Sequence, residues 1–282
     1  MKKILITGAN SYIGTSFETY ITEHYPNDYV VDTVDMIDGS WREKSFAGYD
    51  SVFHVAGIAH QKETKENAHM YRKVNCDLAI EVAQKAKAEG VGQLIFLSSM
   101  SVYGMDTGVI TKETTPAPKS YYGISKWEAE QEIVPLGDEN FRVCILRPPM
   151  VYGKGCKGNF NSVCSLVRKL PIFPRVKIIR SMVYIDNLSS FVKMCVDNGL
   201  AGVYFPQNRD YVSTMNMAAG IARAMHKKLR FEYLTGLGVC ILRLFYPTAK
   251  KGFGTLIYQS TEDFDFSYIV TENEPSFIYS VE

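Results

Sequence analysis

The stretch TGANSYIG, Thr7 to Gly14, decides how this chain of 282 residues is read. The apolar run Lys3 to Thr7, KILIT, precedes it and reads as a buried strand. Ile13, Phe17, Tyr20 and Ile21 follow at helical spacing. Gly8 permits a tight turn where the strand ends. Gly14, without a Cβ, lets the new helix press on the strand. Between them Asn10, Ser11, Tyr12 and Ile13 place backbone N–H groups at the positive end of a helix dipole, which suits a pyrophosphate. Ser11 stands where a further glycine is the norm; it is small and its hydroxyl can donate to a phosphate. On the glycines alone, a plain strand-to-helix turn competes with a dinucleotide-binding loop.

Asp35 tips that balance. It closes a second strand, YVVDTVD, about 20 residues past the loop, where an acid accepts hydrogen bonds from an adenosine ribose. Met36 follows it. Arg42 is the nearest arginine, so nothing adjacent to Asp35 is built to hold a 2′-phosphate. The cofactor expected is NAD rather than NADP.

Strand-length and helix-length segments then alternate. SVFHVAG, QLIFLSS and FRVCILRP read as strands. Residues 66 to 88 read as one amphipathic helix with Met70, Val74, Leu78 and Val82 on its buried face, and residues 120 to 134 as another. This alternation predicts an α/β fold with a doubly wound, Rossmann-type parallel sheet. Only sixteen residues separate Asp35 from Val52. A helix, strand and helix need roughly 30, so the third, edge strand is expected to be missing or vestigial. After Arg147 prolines and glycines cut the chain into shorter pieces. The organisation expected is a cofactor domain over 1–150 and a smaller substrate lobe over 151–282, with some segments returning to the sheet. Two helices are expected there: DNLSSFVKMCVDNG, capped by Asp186 and stopped by Gly199, and STMNMAAGIARAMH, capped by Ser213.

Composition excludes several classes. The formal net charge is +1, which gives no basis for binding nucleic acid or an anionic membrane. The six cysteines have no C-x-x-C pair and no zinc spacing, so no metal is expected. Isolated in apolar runs, they read as reduced core residues of a cytoplasmic protein. The apolar start MKKILITG ends too soon for a signal peptide. GLGVCILRLFYP, Gly236 to Pro247, is too short to span a bilayer and reads as a buried element.

SYYGISK sets Tyr122 and Lys126 four apart on one helix face. Tyr246 and Lys250 share that spacing, but only Tyr122 follows a strand-end serine, Ser99, in FLSSMSVYG. Taken together, TGANSYIG, FHVAG, LSSMSVYG, YYGISK and LRPPMVYGKGCKGNF resemble the extended short-chain dehydrogenase/reductase family. Within it they resemble the NAD-dependent epimerase/dehydratase branch that acts on nucleotide sugars, over residues 1 to 200.

The resemblance implies a chemistry. Tyr122 exchanges a proton with a sugar hydroxyl or its carbonyl, Lys126 favours the phenolate and holds the nicotinamide ribose, and Ser99, with Ser101 beside it, binds the same substrate oxygen. Val55, Ala56 and Gly57 line the cofactor, Leu97 and Ser98 border its ribose, and Pro148 lies near its ring. Asn159 and Arg180 hold the diphosphate of the substrate. Met150 stands where many epimerases and dehydratases carry a substrate-touching asparagine, and Met100 and Ser101 replace the acid typical of dehydratases, which disfavours 4,6-dehydration. His54, His60 and Cys156 fit no ligand set. The leading expectation is 4-epimerisation of a UDP-hexose. A 4-keto-sugar reductase and a non-catalytic NAD sensor are the alternatives, and a homodimer is implied by family analogy.

Overall fold

The computed structural model describes residues 1–59, 61–176, 178–233, 254–260 and 265–281. The segment Gly236 to Pro247, the pair Tyr246 and Lys250, His60 and Cys240 lie outside the described residues. Contacts divide the chain into two units: Met1–Gly104, Pro116–Pro149 and Leu188–Pro206 form the first, and Met105–Thr115, Met150–Asn187 and Gln207–Glu282 the second.

The first unit opens with β1 (Lys2–Thr7), α1 (Tyr12–His24), β2 (Tyr29–Val34), β3 (Ser51–His54), α2 (Ala68–Arg72), α3 (Leu78–Ala88) and β4 (Gln93–Leu97). The chain contributes β5 (Gly108–Ile110) to the second unit, then returns with α4 (Tyr121–Ile133) and β6 (Arg142–Leu146). A second excursion supplies β7 (Met150–Tyr152), α5 (Asn159–Lys169), β8 (Ile172–Pro174), β9 (Ile179–Arg180) and β10 (Met182–Tyr184). The helix α6 (Ile185–Asn198) leads back to β11 (Gly202–Tyr204). The remainder is β12 (Val212–Ser213), α7 (Thr214–Ala224), β13 (Arg230–Glu232), β14 (Leu256–Tyr258) and α8 (Asn273–Tyr279).

Six strands of the first unit pair in the order β11-β6-β4-β3-β1-β2, all parallel. Central strands covered on both faces must be apolar throughout, and β3 and β4 are buried at every position. β2 is only half-buried, as an edge strand is. Among the described residues no further strand lies outside it: residues 35–50 hold a single 3₁₀ turn, Ser40–Arg42, and send Trp41 and Phe46 into the core beside Leu5, Val52, Leu94 and Phe96. The missing third strand is therefore replaced by two aromatic plugs.

One helix departs from expectation. The segment read as continuous over 66–88 carries a π turn, Lys73–Asp77, between α2 and α3. The wide turn rotates the buried face, so Tyr71, Asn75, Cys76, Ala79, Val82, Ala83 and Ala86 face inward while Met70 is exposed. Asp186 also differs: α6 starts at Ile185, which puts Asp186 inside its first turn instead of at the cap. Ser213 caps α7 through Asn216 N, and Gly199 follows α6 with φ 56°.

In the second unit, β12-β9-β14-β5 form one small sheet, with β10-β7 and β13-β8 as pairs. A buried polar chain ties α8 to it: Asn208 donates to the Tyr152 hydroxyl at 2.9 Å, which lies 2.6 Å from Ser276 Oγ. No helix among the described residues is long and apolar enough to cross a membrane.

Candidate active site

Because the sheet is parallel, the carboxyl ends of β1, β3, β4 and β6 share one edge, and most of the candidate residues stand there. Gly8 and Ala9 donate to Val34 O at 2.9 and 3.0 Å, while Val55 and Ala56 donate to Thr7 O at 3.1 and 3.0 Å. These bonds fix the glycine loop against the ends of β2 and β3. Gly8 has φ 121°, and a Cβ there would lie 2.8 Å from Ala56 N. Asn10 takes φ 63°. Ser11 caps α1, accepting from Gly14 N at 3.2 Å and keeping its own hydroxyl proton to donate. Tyr12 and Ile13 open the helix, where backbone N–H groups have no partner within it. The loop is thus a cradle that only a glycine completes, and it fits a pyrophosphate. Asp35 follows β2 and accepts from Ile37 N at 2.8 Å, with Met36 between. Arg42 pairs with Glu81 through two guanidinium nitrogens.

Tyr122 and Lys126 ride on α4. Ser120 caps it through Gly123 N at 3.0 Å, and Glu63, from the loop after β3, accepts from Tyr121 N at 2.9 Å and Tyr122 N at 3.1 Å. Gly123 matters sterically. A Cβ there would sit 2.6 Å from Ser101 O, so its absence lets α4 close on the turn Met100–Tyr103 that follows Ser99. Ser99 Oγ accepts from Ser101 N at 3.1 Å and lies 3.2 Å from Ser101 Oγ. Burial pushes the Tyr122 phenol above its ordinary range, and its hydrogen bond with Ser99 pulls it back down. Without the positive nicotinamide, on which the expected phenolate also depends, the protein alone holds Tyr122 as the neutral phenol.

Lys126 is buried and donates to Leu97 O at 2.8 Å, its ammonium 4.6 Å from the Phe96 ring centre. Burial pulls it down to about 7, against the upward pull of Glu130. Ser98 turns its hydroxyl inward onto Glu130, and Met100 N donates to Pro148 O at 2.9 Å, which closes the β4 and β6 ends together. Asn75, in the π turn, accepts from Ile58 N at 2.8 Å and donates to Ile58 O and to Ser125 Oγ, pinning the chain just after Gly57. Met150, Asn159 and Arg180 belong to the second unit, on β7, at the start of α5 and on β9.

Sequence reading missed Glu63, Asn75, Glu130 and Arg147. Glu130 had a signal, since it extends the Tyr122–Lys126 interval by one more helical turn. Glu63 and Asn75 reach their partners only through the fold.

His54 yields a prediction. It is fully buried, its Nδ1 2.7 Å from Thr7 Oγ1, and burial with the Lys126 charge pulls it down to about 3. The folded form stays neutral while the unfolded form protonates near pH 6.5. Its stabilising contribution is therefore complete above about pH 6.5 and is lost as pH falls toward about 3. Relative to His54→Gln, the wild type should lose ~2 kcal/mol between about pH 7 and pH 5 in denaturant titrations. Parallel pH slopes for the two proteins would refute this.

Comparison with known proteins places this geometry. The model of the NAD dependent epimerase/dehydratase family matches residues 4–232. The chain belongs to this family. Among curated members, a UDP-glucose 4-epimerase of Vibrio cholerae is 34% identical over 253 residues, covering 80% of this chain and 76% of that protein. An N-acetyl-α-D-glucosaminyl-diphospho-ditrans,octacis-undecaprenol 4-epimerase of Escherichia coli O157:H7 is 25% identical, covering 88% and 81%. Two solved structures share the epimerase/dehydratase fold. A dTDP-4-dehydrorhamnose reductase of Clostridium acetobutylicum superposes with TM-score 0.77 at 19% identity, covering 99% of this chain and 98% of that one. A UDP-glucuronic acid 4-epimerase of Bacillus cereus, in complex with NAD, superposes with TM-score 0.74 at 17% identity, covering 99% and 95%.

Proposed function

We propose that this protein is an NAD-dependent 4-epimerase of a UDP-hexose. The observation that carries the reading is a helix that holds Tyr122 and buries Lys126, packed through Gly123 on the turn that follows Ser99, at the same sheet edge as the glycine loop. Kinship to the V. cholerae UDP-glucose 4-epimerase supports the choice of reaction.

The loop Gly8 to Gly14 would hold the pyrophosphate on the α1 N-terminus, with Asn10, Ser11, Tyr12 and Ile13 facing it. Asp35 would accept from the adenosine ribose hydroxyls, with Met36 alongside. Arg42 is already neutralised by Glu81, which supports NAD over NADP. Val55, Ala56, Gly57, Leu97, Ser98 and Pro148 would form the wall of the cofactor site. The chemistry that bound NAD supplies is reversible acceptance of a hydride from the sugar carbon.

The chain's own residues manage the proton. As the phenolate, which Lys126 and the positive ring of bound NAD would favour, Tyr122 Oη would take it from the C4 hydroxyl as the carbonyl forms and return it when the carbonyl is reduced. Ser99 Oγ, with Ser101 Oγ beside it, hydrogen-bonds the same oxygen and lowers the cost of the phenolate. Lys126 Nζ supplies the positive charge that offsets the desolvation of Tyr122. Net epimerisation requires the keto sugar to present its opposite face before reduction. Met150, Asn159 and Arg180 of the second unit are proposed for the substrate, Arg180 as a bidentate partner of its diphosphate. Assignment of the second unit to substrate and the first to cofactor is part of the same proposal. A homodimer is proposed by family resemblance. A reducing, cytoplasmic setting is proposed from the five described cysteines, all free and buried.

The protein should purify with NAD, identifiable by mass spectrometry. It should then interconvert UDP-glucose and UDP-galactose, or their N-acetyl forms, without added cofactor. Stoichiometric consumption of NADH or NADPH on a 4-keto sugar would replace the epimerase by the reductase.

A further inference from the structure

Behind Lys126 a buried ionic chain runs away from the reacting edge. Glu130 lies one helical turn beyond Lys126, as Lys126 lies one turn beyond Tyr122, so the three share a face of α4. Both Glu130 carboxylate oxygens lie 3.1 Å from Arg147 Nε, and a further bond comes from Arg147 Nη2. The Ser98 hydroxyl donates to the same carboxylate, and Arg147 Nη1 donates to the Tyr103 hydroxyl at 2.8 Å. Lys126, Glu130 and Arg147 are 3%, 1% and 7% exposed. Two buried cations therefore flank one buried carboxylate, Arg147 in contact with it and Lys126 one helical turn away.

We propose that Glu130 is a positioning residue of the reaction: clamped by Arg147 and Ser98, its carboxylate holds Lys126 as the ammonium that the Tyr122 phenol needs. The proposal rests on the role of Lys126 in the epimerase reading.

The charge balance carries the argument. Burying an ammonium favours its neutral form, and a carboxylate nearby opposes that. Glu130 is the one buried carboxylate among the described residues. Other groups around Lys126 do not substitute for it. From β3 comes His54, neutral in its buried site. From the π turn comes Asn75, which carries no charge. The turn after β4 brings Ser99, Ser101 and Tyr103, and α4 itself brings Tyr122. Arg72 and Asp77 of the facing helix are exposed and pair at the surface, Arg72 also with Glu128. Arg147 cannot yield its proton. With Glu130 neutralised, two buried positive charges are left without a counter-ion, and Lys126 is the one that deprotonates.

Glu130→Gln keeps the shape and removes the charge. The readout is the titration of the Lys126 ε-methylene by 13C NMR on the protein as purified, assigned with Lys126→Met. Glu130→Gln should move that midpoint down by about one pH unit or more. The alkaline limb of kcat should follow, so that activity falls about ten-fold above the wild-type midpoint. Arg147 left unpaired can unfold the single variant, so Glu130→Gln with Arg147→Met is the second arm. It removes both charges, should fold as the wild type does, and should still titrate Lys126 low. A Lys126 midpoint within about 0.3 unit of wild type in either folded variant overturns the proposal. The titration needs no turnover: inertness toward every sugar would sink the epimerase reading alone, and an unchanged midpoint in an active enzyme would sink this one alone.

Discussion

Tyr122→Phe is expected to lower kcat by about 10³-fold while leaving the fold and the bound NAD in place. The substitution removes one oxygen and keeps the ring. The lost atom is the one that carries the proton between the sugar hydroxyl and the enzyme. Nothing at the site replaces it: Ser99 has too high a pKa to act as base, and Lys126 is turned onto Leu97 O. Removing a desolvated hydroxyl whose side-chain partner is Ser99 costs little stability, since it also removes a polar atom that burial penalises. Progress curves by proton NMR, with mass spectrometry of the retained cofactor, give both halves of the result. Activity within ten-fold of wild type would remove Tyr122 from the proton path, and undiminished function in a sensitive assay would favour the non-catalytic sensor.

Gly8→Val should be the most damaging single change in the cofactor cradle. Two costs add. At φ 121° an L side chain is strained, and its Cβ would lie 2.8 Å from Ala56 N and 3.0 Å from Ala56 Cα, both backbone atoms with no rotamer to yield. Moving β3's end to relieve the clash breaks the bonds of Val55 and Ala56 to Thr7 O. A loss of about 2–4 kcal/mol is expected, together with loss of co-purifying NAD. Wild-type stability with full NAD content would show that the loop does not meet the cofactor as described.

The sheet could be read from the sequence because parallel central strands are buried on both faces, so KILIT, SVFHVAG and QLIFLSS are apolar without alternation. The absent edge strand was legible from arithmetic on residues 35–52, but the entry of Trp41 and Phe46 into the core was not. The buried face of α2 and α3 was misjudged because a π turn adds a residue that no 3.6-residue periodicity anticipates. The cap of α6 moved by two residues, within the ordinary spread of helix ends. Ser99, Tyr122 and Lys126 stood out through order and spacing. Glu63 and Asn75 did not, since their partners are 58 and 17 residues away in sequence. The upward shift of Tyr122 also escaped sequence reading, because desolvation is a property of the packed site.

The central claim is that C4 of the sugar is oxidised and then reduced by the same hydride within one bound complex. UDP-glucose deuterated at C4, incubated with the purified protein and no added cofactor, tests it directly. The account predicts UDP-galactose that retains deuterium at C4, read by proton NMR and mass spectrometry. Epimerised product whose C4 position has exchanged with solvent would contradict it.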